Sequence, residues 1–142
     1  MGVDLIGEKD ENAYFHSNWY GWRLIRSILT AAGADTEDMP FSNDGELVEE
    51  ETCMEWAEKL EKFIKETKGY KVSLRGKDST EYTVLARSED EAIAVAMMIW
   101  YDDDKKMKVE VTEADKTRAE DVTEFILEFT EFLKKCGGFR CY

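Results

Sequence analysis

One stretch limits the possible folds more than any other: Tyr14 to Thr30, YFHSNWYGWRLIRSILT. It holds two of the four Trp residues, the only His, and two Arg residues in a chain of formal net charge −13. Trp19, Trp22, Ile25, Arg26 and Leu29 recur at helical spacing and so share one face. Tyr20, Leu24 and Ile28 widen that stripe, and a helix apolar over most of its girth is usually buried. Ser17 or Asn18 can accept from an orphan N–H at its start, and Gly33 after Ala31-Ala32 marks its stop. Gly21 inside the helix costs about 1 kcal/mol relative to Ala, and close packing against another element is one reason to keep it. The stretch supports two readings. In the first it is the central core helix. In the second it borders a partly open pocket, where His16, Trp22, Arg23 and Arg26 face a ligand between aromatic walls.

The rest of the chain supplies partners for this helix. Val3 to Ile6 reads as a short strand ended by Gly7. Ala34 to Gly45 is a polar connection with the only Pro, Pro40, and a dense turn signal in Ser42-Asn43-Asp44-Gly45. Asn43 and Asp44 in that turn are also able to position a ligand. Glu50 to Lys68 is the clearest helix: Cys53, Trp56, Ala57, Leu60, Phe63 and Ile64 share a face, with Gly69 as its stop. Tyr70 to Arg75 and Thr80 to Ala86 read as two strands joined by the hairpin loop Gly76-Lys77-Asp78-Ser79. Ser88 and Glu91 form a capping box before AIAVAMMIWY, a helix whose all-round apolar character predicts deep burial or an interface. Asp102-Asp103-Asp104 reads as a solvated loop without calcium-ligand spacing. Met107, Val109 and Val111 alternate as a strand. Thr117 and Glu120 form a second capping box before the face Val122, Phe125, Ile126, Phe129, Phe132 and Leu133. Gly137-Gly138 closes that helix, and Phe139 to Tyr142 forms a last strand whose natural partner is the N-terminal or a central one. The expected order is β-α-α-β-β-α-β-α-β. That predicts a single α+β domain over 1–142, a small mixed or antiparallel sheet with about four helices packed on it.

Composition narrows the function classes. The chain has 32 acidic residues against 19 basic ones, which disfavours direct contact with nucleic acid or anionic membranes. It permits binding to a basic surface that normally holds nucleic acid. Cys53, Cys136 and Cys141 are odd in number and lack CxxC spacing, and no basic start with an apolar run opens the sequence. The expectation is free thiols in a cytoplasm, with neither metal nor cofactor. The glycines match neither GxGxxG nor GxxxxGK[ST], and GxSxG and HExxH are missing too. His16 is a candidate base by default only, so no catalytic set is expected.

Several segments in sequence carry a resemblance: MGVDLIG, YFHSNWYGWRLI, FSNDGELV, MEWAEKLEKF, VTEFILEFTEFL and KKCGGF. Their order resembles a family of small uncharacterised proteins of bacteria and their phages. Such proteins begin with a Met-Gly-hydrophobic-Asp strand and a Trp-rich helix, then carry a Ser-Asn-Asp-Gly turn, and end in a Phe-rich helix with Gly-Gly-Phe. The likeness covers residues 1–68 and 120–142. Family members carry paired CxxC motifs in the middle, whereas residues 70–111 here form strands and an Ala/Met-rich helix, so a zinc site does not carry over. The resemblance implies an accessory protein of a phage or mobile element, located in the host cytoplasm. Combined with the charge, it gives the leading expectation: a non-enzymatic protein that binds a basic host protein, for instance a nucleic-acid-handling or defence complex that it inhibits. The face for this is Glu51, Glu55 and Glu58, close together at helical spacing. The alternative is a nucleotide-type ligand held by His16, Trp22, Arg23, Arg26, Asn43 and Asp44.

Overall fold

The computed structural model describes residues 2–76, 79–99 and 108–142. Its elements are β1 (Gly2–Gly7), β2 (Tyr14–Asn18), α1 (Trp19–Ala31), β3 (Glu46–Val48), α2 (Glu50–Glu66), β4 (Lys68–Arg75), β5 (Ser79–Ala86), α3 (Glu89–Ile99), β6 (Lys108–Glu113), α4 (Lys116–Cys136) and β7 (Phe139–Cys141). The class is α+β, as the sequence predicts. The strands divide, however, into two antiparallel sheets: sheet A, ordered β2-β1-β7-β3, and sheet B, ordered β5-β4-β6. Two of these strands escape the sequence reading. β2 occupies Tyr14–Asn18, which reads as a helix entry, because Phe15 and Ser17 point inward while Tyr14, His16 and Asn18 point out. β3 is only three residues long, too short for alternation to register. The final strand β7 pairs with β1 through Leu5↔Cys141 and Gly7↔Phe139.

Both sheets bury one face on a shared core. Trp22, Ile25, Ile28 and Leu29 of α1, with Trp56, Leu60 and Phe63 of α2, are fully or almost fully buried in it. Phe129 of α4 lies 5.2 Å from Phe15 and 5.9 Å from Trp22, ring centre to ring centre, and Phe132 lies 5.7 Å from Phe139. Aromatic pairs at such separations add about 0.5–1.5 kcal/mol each beyond their area. The loop from Ala32 to Gly45 is held by two indoles: Trp22 Nε1 donates to the Pro40 carbonyl (2.7 Å), and Trp56 Nε1 to that of Asp35 (2.9 Å).

The helix ends show where local chemistry competes. Asn18 caps α1, its Oδ1 accepting from the Gly21 N–H at 2.7 Å. The cap of α4 is Asp115, which accepts from the Arg118 N–H at 2.9 Å, not Thr117. A carboxylate at an N-terminus satisfies the orphan donor and also complements the dipole, so it outcompetes a hydroxyl two residues on. Gly137 closes α4 in the left-handed conformation, φ 64°. Gly69 does not stop α2. The helix ends at Glu66, and Gly69 sits inside β4, where α4 approaches closely. α3 buries Ala92, Val95, Ala96 and Ile99 but leaves Met97 and Met98 exposed, so it is covered on one side and not all round. The Asp102-Asp103-Asp104 stretch and Lys77-Asp78 of the hairpin loop lie outside the described residues.

Candidate binding surfaces

α2 turns Cys53, Trp56, Leu60 and Phe63 inward, which leaves Glu51, Glu55 and Glu58 exposed on its outer side. Glu55 meets Lys59 at 3.3 Å. Among the described residues, Glu51 and Glu58 have no basic group within ion-pair distance. Beside the N-terminus of α2 lies a depression of about 990 Å³, lined by Glu8, Glu49, Glu50 and Glu51 with Leu47 and Met54. Lys9, paired with Glu50, also lines it. A second carboxylate row runs along α4, where Glu120, Glu124, Glu128 and Glu131 are exposed. Like charges four residues apart on a helix cost a few tenths of a kcal/mol per pair.

The alternative ligand set does not assemble. Trp22 has no exposed surface, and its indole N–H is satisfied by Pro40, so it cannot stack on a ligand. Arg23 and Arg26 do come together, in a crevice of about 330 Å³ with Phe41, Met98 and Ile99. The Arg26 guanidinium lies 4.6 Å over the Phe41 ring. His16 stands apart on β2, and the Asn43 amide donates to the Gly2 carbonyl (3.1 Å) with Asp44 exposed beside it. Helical spacing put Trp22 and Arg26 on one face correctly. It could not show that the loop at Pro40 covers the indole while the longer Arg reaches past it to solvent.

What sequence reasoning missed is a cluster on the outer face of sheet A. Asp4 of β1 pairs with His16 of β2 in register. Its Oδ1 accepts from the Tyr14 hydroxyl and lies 2.9 Å from His16 Nδ1. The Tyr14 hydrogen bond, followed by the one to His16, holds the Asp4 carboxyl below the usual range, and the same contact raises the Tyr14 phenol. The signal was present in the sequence: alternation in VDLI and in YFHSN puts Asp4, Tyr14 and His16 on one side once both are read as strands. The neighbouring hydroxyl, Ser17, points inward and donates to the Asn18 carbonyl (2.9 Å), so His16 does not activate it.

The thiols are equally removed from solvent. Cys53 on α2 and Cys136 on α4 face each other, which raises the Cys53 thiol and lowers that of Cys136, whose S–H donates to the Leu133 carbonyl at 3.4 Å. Burial pushes Cys141 up to about 11. All three have no exposed surface, as expected of small apolar fillers. Among the described residues no group of three or more His, Cys, Asp or Glu side chains is placed to hold a metal ion, and no helix is long and apolar enough to cross a membrane.

Of the further clefts along α4, two lie beside α1 and β2. One, of about 440 Å³, lies between α1, α4 and β5, walled by Tyr20, Leu24, Val122 and Phe125 and rimmed by the Glu81–Arg118 ion pair (2.7 Å). The other, of about 580 Å³, runs between β2 and α4. Comparison with known proteins finds no matching family model, no matching curated protein and no matching solved structure.

Proposed function

We propose that this chain is a non-enzymatic binding protein that takes a basic segment of another protein on its acidic surface. The observation that carries the reading is the pair of carboxylate rows, Glu51-Glu55-Glu58 on α2 and Glu120-Glu124-Glu128 on α4, both facing solvent. Such rows cost self-repulsion that a cationic partner relieves. Their placement on regular helices also fixes the charges in space, as electrostatic steering requires. The wider reading, an accessory protein of a phage or mobile element acting on a host complex, rests on the resemblance of the two ends of the chain.

The test is capture from a bacterial lysate at low and high salt, compared with a variant carrying Glu51→Gln, Glu55→Gln and Glu58→Gln. The variant should stay folded, because all three side chains are exposed. It should bind its partner more weakly, mainly through a slower on-rate and a flatter salt dependence. Equal binding with equal salt dependence would remove the α2 face from the reading. A nucleotide-type ligand is the second reading, favoured by one observation: Arg23 and Arg26 share a crevice with Phe41. A small molecule that co-purifies with the protein and is lost on Arg23→Ala would favour it.

A further inference from the structure

We propose that the free edge of β2 takes up an extended basic peptide as an added strand, with its Lys or Arg side chains seated on Glu124 and Glu128 of α4. This deepens the reading above and rests on it. β2 is an outer strand of sheet A. The backbone of Asp4 exchanges both its hydrogen bonds with Tyr142 of the β7 side (2.9 and 2.8 Å), while the Gly7 N–H donates to Ala13 (3.0 Å). In an antiparallel ladder each residue turns both backbone groups to the same side. Val3, Leu5 and Gly7 therefore serve β2, and they use the backbone of Ser17, Phe15 and Ala13. The N–H and C=O groups of Tyr14 and His16 consequently point away from the sheet, into the cleft of about 580 Å³ that α4 walls on its other side.

The other edges are blunted. β3 has three residues. β6 carries Lys108, Glu110 and Glu113 along its exposed length, which discourages pairing. The far half of β5, Tyr82 with Val84 to Ala86, is buried. β2 offers Tyr14, His16 and Asn18 without a Lys or a Pro. The α4 wall supplies charge at matching intervals. Glu124 and Glu128 are four residues apart, a rise of about 6 Å. Side chains on one face of an added strand recur every second residue, about 6.6–6.8 Å. Glu131, which also meets Lys134 at 3.6 Å, and Lys135 stand further along the cleft. The sheet edge therefore recognises extended backbone, and the helix selects positive side chains.

The probe is a capped peptide of alternating Lys and Thr, about ten residues long, titrated into the full chain and into two variants. His16→Val keeps the outward N–H. His16→Pro removes it at a position where the sheet loses no bond, the setting in which edge strands tolerate Pro. Both lose the contact with Asp4, so the comparison isolates the backbone donor. His16→Pro should weaken binding at least about tenfold relative to His16→Val, and the Tyr14 and His16 amides of the wild type should shift on titration. If His16→Pro proves unfolded by its melting curve, Glu124→Gln with Glu128→Gln takes its place, with the same loss expected and a reduced salt slope. Equal binding by both His16 variants, or by the Glu variant, overturns the proposal. Shifts confined to the α2 face overturn this site and leave the acidic-surface reading standing. No binding of the probe overturns the strand-docking inference alone, because salt-sensitive capture judges the broader reading separately.

Discussion

The two sheets are built on opposite principles. Sheet B comes from one continuous run: β4 and β5, eight residues each, pair end to end from Lys68↔Ala86 to Arg75↔Ser79, and β6 joins later. Sheet A gathers strands of six, five, three and three residues from both ends of the chain, and its central pair, β1 with β7, joins residues more than a hundred positions apart. Local pairing closes a short loop cheaply, whereas distant pairing must be repaid by packing. That repayment is visible under sheet A as the cluster Phe15, Trp22, Phe129, Phe132 and Phe139. Sheet B adds a continuous eight-residue ladder to its buried face. Sheet A holds by the aromatic layer beneath it, with β2 as an outer strand.

The largest test of that contrast is Phe129→Ala. The ring is fully buried between Phe15 and Trp22, so its loss should cost about 3–5 kcal/mol. Under partial denaturation, amide exchange should then accelerate in β1 and β7 before β4. An unchanged urea midpoint would show that the α4 face does not hold sheet A.

A finer test uses two glycines against which α4 packs. A methyl on Gly69 of β4 would meet the Ala119 Cβ at 2.7 Å and its Cα at 3.1 Å, so backbone must move. A methyl on Gly21 of α1 would meet the Ser17 hydroxyl and the tip of Phe125 at 2.9 Å, groups that can turn aside. Gly69→Ala should therefore cost about 1–3 kcal/mol. Gly21→Ala should cost less, because about 1 kcal/mol of helix propensity is recovered. Thermal melts of the two variants check the order, and the reverse order would place the tighter contact of α4 on α1.

The same contrast explains what could be read from sequence. The β4–β5 hairpin is legible because both strands alternate over eight residues, and α2 and α4 because their apolar faces repeat over several turns. β2 was hidden by its neighbour: Tyr14 to Asn18 runs straight into Trp19 with no turn residue between, so the helix periodicity absorbed it. With β2 misplaced, Asp4 and His16 could not be seen as register partners, and His16 looked isolated. The acidic row on α2 was legible because exposure follows directly from the opposite face being apolar. The enclosure of Trp22 was not legible, because the Pro40 carbonyl that accepts its indole N–H comes from the loop after α1.

Acid should probe each sheet through one exposed carboxylate. The Tyr14 hydrogen bond lowers Asp4 on sheet A, and the Arg118 hydrogen bond lowers Glu81 on sheet B. A depressed folded pKa contributes stability that is present above the unfolded value and lost as pH falls through the folded one. The losses thus lie below 3.8 for Asp4 and below 4.5 for Glu81. Asp4→Asn and Glu81→Gln should each flatten part of the acid limb of a stability–pH curve. If only Glu81→Gln does so, the Asp4 cluster on the open face of sheet A plays no part in stability.

The smallest effect sits where α1 meets sheet B. Tyr20 of α1 stacks on Tyr82 of β5, ring centres 5.3 Å apart and planes 13° from parallel. Burial pushes the Tyr20 phenol up to about 12 and raises Tyr82 as well. A raised folded pKa means that the neutral phenol is favoured in the native state. Stability is therefore whole below the unfolded value of 10.0 and declines as pH rises toward 12. Tyrosinate absorbance should accordingly develop late at Tyr20, whose ring stacks on Tyr82 while the residue keeps some solvent access. Tyr20→Phe keeps the ring and removes the proton, so it should delete the late stage and hold the stability curve flatter at high pH. If the late stage persists in Tyr20→Phe, the late phenol is Tyr82 or Tyr14, and Tyr82→Phe tells them apart.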